Sequence, residues 1–160
     1  MPDSLLLSGT SELSLDPKGR IAVPARYRDL ISANSDKQIV FTRSLFDKCL
    51  WLYPVTFWDE VVKSLGQLPT MTDPVFRSIQ RILLGSAVYC QMDSQGRILI
   101  PFELRNYAML EKKAFLLGLN NKFELWSDQQ FTDTQNEDLR SLESAYQNLG
   151  EHELLNNLKI

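Results

Sequence analysis

The sequence predicts a mainly β protein with short helices, of the α+β class, that contains two tandem copies of a small hairpin module. Two observations lead to this prediction. A nine-residue segment that begins at Asp16 recurs at Asp93, and both copies keep the pattern Asp-x-x-Gly-Arg with a proline eight residues after the aspartate. On both sides of each pattern, apolar and polar residues alternate, which is typical of half-buried strands.

Each repeated segment predicts a tight turn between two strands. The aspartate can accept hydrogen bonds from backbone amides further along, and the glycine supplies the left-handed residue of a bulged hairpin loop. We therefore expect the turns to be formed by Asp16, Gly19, Asp93 and Gly96. The first turn also has Pro17, which presets φ before the tip.

After the turn, each copy continues with a short helix and a second pair of strands. Proline suits the first turn of a helix, so helices are predicted at 24–31 and 101–107. The strand pairs are predicted at 39–41 with 50–53 and at 114–119 with 123–126. Helical patterns at 55–65 and 74–84 connect the copies, and Asp73 is the expected N-cap of the second.

These elements divide the chain into four segments. They are a first hairpin module at 5–54, connecting helices at 55–84, a second hairpin module at 85–128 and an acidic C-terminal helix or tail at 129–160. In the tail, one amphipathic helix would carry Leu139, Leu142, Tyr146 and Leu149 on one face. The last ten residues are expected to fray.

Composition predicts a folded, cytoplasmic protein. Hydrophobic residues make up 44% of the chain and charged residues 23%, which is enough to bury a core. No apolar run reaches the roughly 18 residues of a membrane span, and the first nine residues lack the pattern of a signal peptide. Because Cys49 and Cys90 have no CxxC partner, we expect reduced thiols rather than a disulfide or a zinc site.

Charge is distributed unevenly along the chain, whose net charge is −3. From Asp128 onward there are seven acidic and two basic residues, whereas residues 1–126 hold 15 basic and 13 acidic ones. Any contact with nucleic acid must therefore come from a few well-placed cations, which suggests that many chains act together.

Both turns carry an arginine directly after the glycine, although a turn does not require one. A single copy of this motif would be explained by a surface ion pair between the arginine and the aspartate, but two copies at equivalent positions favour a functional role for the arginine. A rigid tip with arginine and lysine can enter a DNA groove, where the guanidinium bridges guanine O6 and N7 or holds a phosphate. The predicted DNA-binding residues are Lys18, Arg20 and Arg97, with Arg28 and Arg26 as further candidates that a solvated helix face would also explain.

Catalytic interpretations fit the sequence poorly. The only histidine, His152, lies in the acidic tail, so the repeats hold no Ser-His-Asp or Cys-His constellation. Asp16 and Asp93 could be imagined as a catalytic carboxylate pair, but turn formation explains them more simply. The sequence has no P-loop, no GxGxxG after a strand and no metal-ligand cluster. We expect no enzymatic activity, no metal and no cofactor.

An ordered set of motifs resembles the MraZ family, from about Leu5 to Phe131. The motifs are Asp-Pro-Lys-Gly-Arg at 16–20, Leu-Tyr-Pro at 52–54 followed by Trp58, Leu-Leu-Gly at 83–85, Asp-x-x-Gly-Arg-Ile-Leu-Ile-Pro at 93–101 and Asn-Lys-Phe-Glu-Leu-Trp at 121–126. The resemblance implies a fold related to the AbrB and SpoVT swapped-hairpin proteins. There, two chains interlock their hairpins into one barrel, whereas here one chain would form a pseudo-dimeric barrel with flanking helices.

The resemblance also implies a function. It implies a nucleoid-associated, sequence-specific DNA-binding regulator that represses its own division and cell-wall gene cluster. It would bind repeated promoter elements in double-stranded DNA as a ring-shaped homo-oligomer, with an octamer favoured. The family's DNA contact at the hairpin tip maps onto Lys18 and Arg20, and onto Arg97 at the second tip, where Gln95 replaces the lysine. We therefore expect the first tip to contribute more to binding.

Two other classes of protein stay open. An AbrB-like antitoxin would bind DNA and also a toxin through a disordered tail; the acidic tail is compatible with this, although such chains usually carry one hairpin module. A structural assembly protein would use the tips for self-association without binding DNA. A gel-shift at varied salt concentration separates it from a regulator.

Overall fold

The computed structural model describes residues 7–145 and 157–159 of the 160-residue chain. The chain divides into two compact units, Met1–Asp128 and Gln129–Ile160. The predicted α+β class is confirmed, because the described residues form eight strands together with five helices. The finer division into four segments stays a prediction.

The two copies contain the same elements in the same order: two strands, a helix and two more strands. The first copy comprises β1 (Leu7–Ser14), β2 (Arg20–Ala22), α1 (Ala25–Ser35), β3 (Gln38–Arg43) and β4 (Leu50–Pro54). The connecting helices are α2 (Val55–Gly66) and α3 (Pro74–Leu83). The second copy comprises β5 (Val88–Gln91), β6 (Arg97–Leu99), α4 (Phe102–Tyr107), β7 (Lys113–Asn120) and β8 (Lys122–Ser127), and α5 (Asp128–Ala145) follows it.

The helices begin where the sequence places their start signals. Pro24 and Pro101 directly precede α1 and α4 in an extended conformation, so each helix starts one residue later than predicted. The side chain of Asp73 accepts a hydrogen bond from the backbone N–H of Val75, at 2.9 Å, and caps α3 as expected. Helix α1 is longer than predicted and ends at Ser35.

The strands of the two copies pair with each other in a six-stranded antiparallel sheet of order β1-β7-β8-β4-β3-β5. The first strand of each copy pairs with the third strand of the other, β1 with β7 and β5 with β3. At the centre, Leu50 lies opposite Leu125 and Leu52 opposite Phe123, so the β4–β8 pair is symmetric about Trp51 and Glu124. The copies are thus interlocked around a pseudo-twofold axis.

The strand after each turn leaves this sheet. Strands β2 and β6 pair with each other in a separate two-stranded sheet. The expected hairpin is therefore confined to its turn, where the backbone N–H of Asp16 donates to the carbonyl of Arg20 at 3.0 Å. No closed barrel is found among the described strands: β1 and β5 end the six-stranded order because β2 and β6 pair together instead of extending it.

The core lies between the interlocked copies and takes residues from both. Ile21 and Ile98, which face each other in the β2–β6 pair, are each about 1% exposed. Cys49 is a buried free thiol and Cys90 a half-buried one. Burial raises the pKa of both thiols, that of Cys90 to about 11.

The C-terminal helix α5 has no buried residue along Asp128–Ala145. Of the four residues predicted on its apolar face, Leu139 and Leu142 are exposed, whereas Tyr146 and Leu149 lie outside the described residues. Most of the segment expected to fray also lies outside them. Among the residues that the structure describes, no helix is long and apolar enough to span a bilayer.

Candidate nucleic-acid interface

The two repeated turns have the same backbone and the same hydrogen bonds. In the first, Oδ1 of Asp16 accepts from the backbone N–H groups of Lys18 and Arg20, both at 2.9 Å. In the second, Oδ1 of Asp93 accepts from the backbone N–H groups of the equivalent residues at 2.8 and 2.9 Å. The glycines that precede the two arginines have φ of +85° and +76°, a left-handed conformation that disfavours any side chain.

Each aspartate also holds the arginine of its own turn. Nε of Arg20 donates to Oδ2 of Asp16 at 2.6 Å, and Nε of Arg97 donates to Oδ2 of Asp93 at 3.0 Å. The arginine backbone N–H, followed by smaller contributions that include the guanidinium, keeps the pKa of each aspartate below its ordinary value. Because these bonds use Nε, they orient the guanidinium while its two Nη groups take no part in them.

The pairing of β2 with β6 places both arginines on one face. Arg20 lies opposite Leu99 and Ala22 lies opposite Arg97. Since alternate residues of a strand share a face, all four side chains point away from the buried Ile21–Ile98 pair. Arg20 and Arg97 are diagonal cross-strand neighbours, for which the Cα separation is about 7–8 Å. We name the outer face of this two-stranded sheet, with the two turns that flank it, the ribbon face.

A further arginine reaches each turn from the other copy. A Cβ built on Gly19 would lie closer than 3.0 Å to the guanidinium of Arg105, and one on Gly96 would overlap the side chain of Arg28 in the same way. The structure thus brings Arg28 to the second turn rather than to the first, to which it is closer in sequence. Arg105 was not among the predicted binding residues; its signal was that both copies keep an arginine at this position.

The other predicted cations differ in their surroundings. Lys18 is exposed at the first tip, where the second tip has the equally exposed Gln95. Arg26 lies against β1, because its Nη2 donates to Oγ of Ser11 at 2.9 Å and its guanidinium covers the ring of Tyr27 at 4.7 Å. The structure therefore brings Lys18, Arg20, Arg97 and Arg28 to the ribbon face and holds Arg26 beside β1.

Away from the turns, a largely apolar groove lies between α3 and α4. Its walls include Ile82, Val88 and Phe102 together with Arg43 and Arg81. Phe102 is 66% exposed, which is unusual for a phenylalanine. Among residues 7–145 and 157–159, no three His, Cys, Asp or Glu side chains are grouped as metal ligands.

Comparison with known proteins identifies the family. The family model described as "MraZ protein, putative antitoxin-like" matches residues 6–81 and 83–149, so that each copy of the repeat has its own match. The chain belongs to the MraZ family. The resemblance seen in the sequence motifs is therefore confirmed over nearly the whole chain.

Individual MraZ proteins are similar over most of their length. One from Shewanella piezotolerans is 48% identical over 77% of this chain and 80% of its own. One from Hydrogenovibrio crunogenus is 46% identical over 78% and 82%, and one from Serratia proteamaculans is 42% identical over 91% and 95%. All three are named transcriptional regulator MraZ, and no activity as an enzyme appears in these names.

Proposed function

We propose that this protein is a sequence-specific DNA-binding transcriptional regulator and that the ribbon face is its DNA-contacting surface. The pairing of β2 with β6 carries the proposal, because it presents Arg20 and Arg97 as diagonal neighbours on the outer face of one two-stranded sheet. The names of the relatives support the regulatory role. A protein with this role acts at the nucleoid.

The shape and chemistry of the ribbon face suit the major groove of B-DNA. That groove admits a two-stranded β-ribbon, and arginine there binds guanine O6 and N7 with both Nη groups. Between the two arginines lie Ala22 and Leu99, the latter 53% exposed. Apolar side chains at these positions suit contact with thymine methyl groups. The aspartates orient the arginines before DNA arrives, which reduces the entropy lost on binding.

The charge of the ribbon face argues for several chains on one DNA. The first tip has Lys18, Arg20 bonded to its aspartate and Arg105 against its glycine, and the second tip has Arg97 bonded to its aspartate and Arg28 against its glycine. So small an excess of positive charge gives weak binding per chain, and linkage of several chains converts it into useful affinity. We therefore propose a ring-shaped homo-oligomer, with an octamer favoured, that binds repeated elements in the promoter of its own division and cell-wall gene cluster and represses it.

The groove between α3 and α4 is the surface that we propose for contact between copies, since exposed apolar walls of this kind mark interaction sites. Ile82→Asp places a charge in the groove wall and should lower the oligomer mass measured by light scattering. Met71→Asp makes the same change at a residue that is 92% exposed and outside the groove walls, and should leave the mass unchanged. Equal masses for both variants and the wild type would exclude the groove as the interface.

DNA binding is tested by fluorescence anisotropy with DNA from the protein's own promoter and with a scrambled duplex. Arg20→Ala should weaken binding to the promoter by about 1–3 kcal/mol for each base-edge interaction that it removes, without changing the oligomer mass. Arg140→Ala, which removes an exposed arginine of α5, is the matched control and should bind normally. Equal binding of the wild type and Arg20→Ala to promoter DNA would overturn the assignment of the ribbon face as the DNA-contacting surface. Repression is tested separately in cells, with the promoter fused to a reporter gene.

A further inference from the structure

Each tip glycine is covered by an arginine of the other copy. The Cα of Gly19 faces the guanidinium of Arg105 so closely that no Cβ fits between them, and the Cα of Gly96 faces the stem and Nε of Arg28 in the same way. Both glycines are buried although they lie at the tips of turns whose neighbouring residues, Lys18 and Gln95, are exposed. The arginine side chains contribute to this burial.

The backbone joins the same glycines to the other copy. The carbonyl of Gly19 accepts from the N–H of Ile100 at 3.0 Å, and the carbonyl of Gly96 accepts from the N–H of Val23 at 2.8 Å. Each tip glycine is therefore held at its carbonyl by one residue of the other copy and at its Cα by another. A residue held at two points has its peptide plane fixed, and Gly19 shares a peptide bond with Arg20.

The covering arginines are themselves held in place. Nε of Arg28 donates to the carbonyl of Val23 at 2.6 Å, in the same residue whose N–H binds Gly96. Cζ of Arg105 lies 5.5 Å from the ring centroid of Phe102, a cation–π contact that helps to hold the guanidinium in place. Both arginines are half-buried, unlike the exposed Lys18.

We infer that Arg105 and Arg28 are positioning residues, each of which fixes the DNA-contacting arginine of the other copy: Arg105 acts on Arg20, and Arg28 acts on Arg97. The inference rests on the proposed DNA-binding function. The planar guanidinium of Arg105 packs on the bare Cα of Gly19 and keeps the following peptide in the orientation in which Arg20 binds Asp16 through both its backbone N–H and Nε. Without this packing, Arg20 must become ordered when DNA binds.

A double-mutant cycle tests the inference on the full-length chain, with promoter DNA at low salt. Arg105→Met keeps the stem but removes the guanidinium, and should weaken promoter binding about 2- to 12-fold, the range expected for ordering one side chain at an interface. The same change made in an Arg20→Lys background should have little further effect, because the residue on which Arg105 acts is already altered. In an Arg97→Lys background, Arg105→Met should weaken promoter binding as much as it does in the wild type.

Arg28→Met is the matched variant for the second tip. Its effect on promoter binding should disappear in the Arg97→Lys background and persist in the Arg20→Lys background, although Arg20 is nearer to Arg28 in sequence. Arg105→Lys separates charge from shape. If the guanidinium acts by packing on Gly19, lysine should weaken binding as methionine does, whereas a direct phosphate contact would be preserved by lysine.

Hydrogen exchange gives a readout that needs no DNA. Arg105→Met should speed exchange of the backbone N–H groups of Lys18 and Arg20 and leave the β7–β8 amides protected, since the change loosens one tip and not the sheet. Additive effects in the Arg105–Arg20 cycle, or unchanged exchange at the first tip, would refute the positioning role. If Arg20→Lys itself bound DNA normally, the proposed function would fail instead.

Discussion

The single most informative perturbation exchanges the one cation that distinguishes the two tips. The backbone N–H of Lys18 and that of Gln95 make the same bond to their aspartates, at 2.9 and 2.8 Å, and both side chains are exposed. Gln95→Lys therefore gives the second tip the ammonium group that the first already has. Lys18→Gln removes it from the first tip and is the reciprocal change.

The magnitude follows from counterion release. If the lysine at a tip meets one phosphate, the slope of log Kd against log salt changes by about 0.9 for each chain on the DNA. Between 50 and 200 mM salt, a slope difference of 0.9 amounts to about 3.5-fold in Kd per chain. We expect Lys18→Gln to reduce the slope and Gln95→Lys to increase it, because both tips flank the same ribbon face.

Anisotropy titrations at four or five salt concentrations measure these slopes directly. An unchanged slope for Gln95→Lys, together with a reduced slope for Lys18→Gln, would mean that only the first tip approaches DNA, a stronger asymmetry than the larger contribution predicted for that tip from the two motifs. Unchanged slopes for both variants would place the phosphates elsewhere and would contradict the use of the tips altogether.

Two further predictions concern the turns themselves. Gly19→Ala should lower the melting temperature, since the new side chain would stand at a φ of +85° and overlap the guanidinium of Arg105. Gly66→Ala, whose Cβ would meet nothing within 4 Å, is the control and should be neutral or slightly stabilising. Equal effects of the two substitutions would contradict the packing of Arg105. Folding lowers the pKa of Asp16 below its ordinary value of 3.8. The ionised carboxylate therefore stabilises the first tip fully at pH values above the unfolded-state pKa of Asp16, and this contribution is lost as the pH falls through the folded-state pKa. Amide protection at Arg20 should therefore decrease in acid for the wild type, whereas in Asp16→Asn it should be lower at neutral pH and vary little over that range.

Much of the fold could be predicted from the sequence because the signals are local. Three of these signals act within a few residues: the aspartate and glycine of each turn, the prolines before α1 and α4, and the alternation of apolar and polar residues in the strands. The structure places a turn, a helix or a strand at each of these signals. Even the cap of α3 by Asp73 follows from one residue and its neighbour.

The pairing of the strands could not be predicted in the same way. Alternation shows which face of a strand is buried but not which strand lies beside it, so β2 was expected to pair within its own hairpin and pairs with β6 instead. The same limit applies to Arg105. In sequence it belongs to the second copy, and only the interlocking of the copies brings it to the first tip.

The presence of both copies in one chain has a consequence for how the ribbon face meets DNA. Two identical tips related by a twofold axis would bind a duplex equally well in two opposite orientations. Here the tips share a backbone but differ at Lys18 and Gln95, and their covering arginines are held by a carbonyl in one case and by Phe102 in the other. Under the proposed function, the two orientations therefore differ in energy, and one chain would acquire a direction along the DNA. Repeated elements that run head to tail, bound by copies in heterologous contact, require such a direction, because every chain must meet its element in the same orientation.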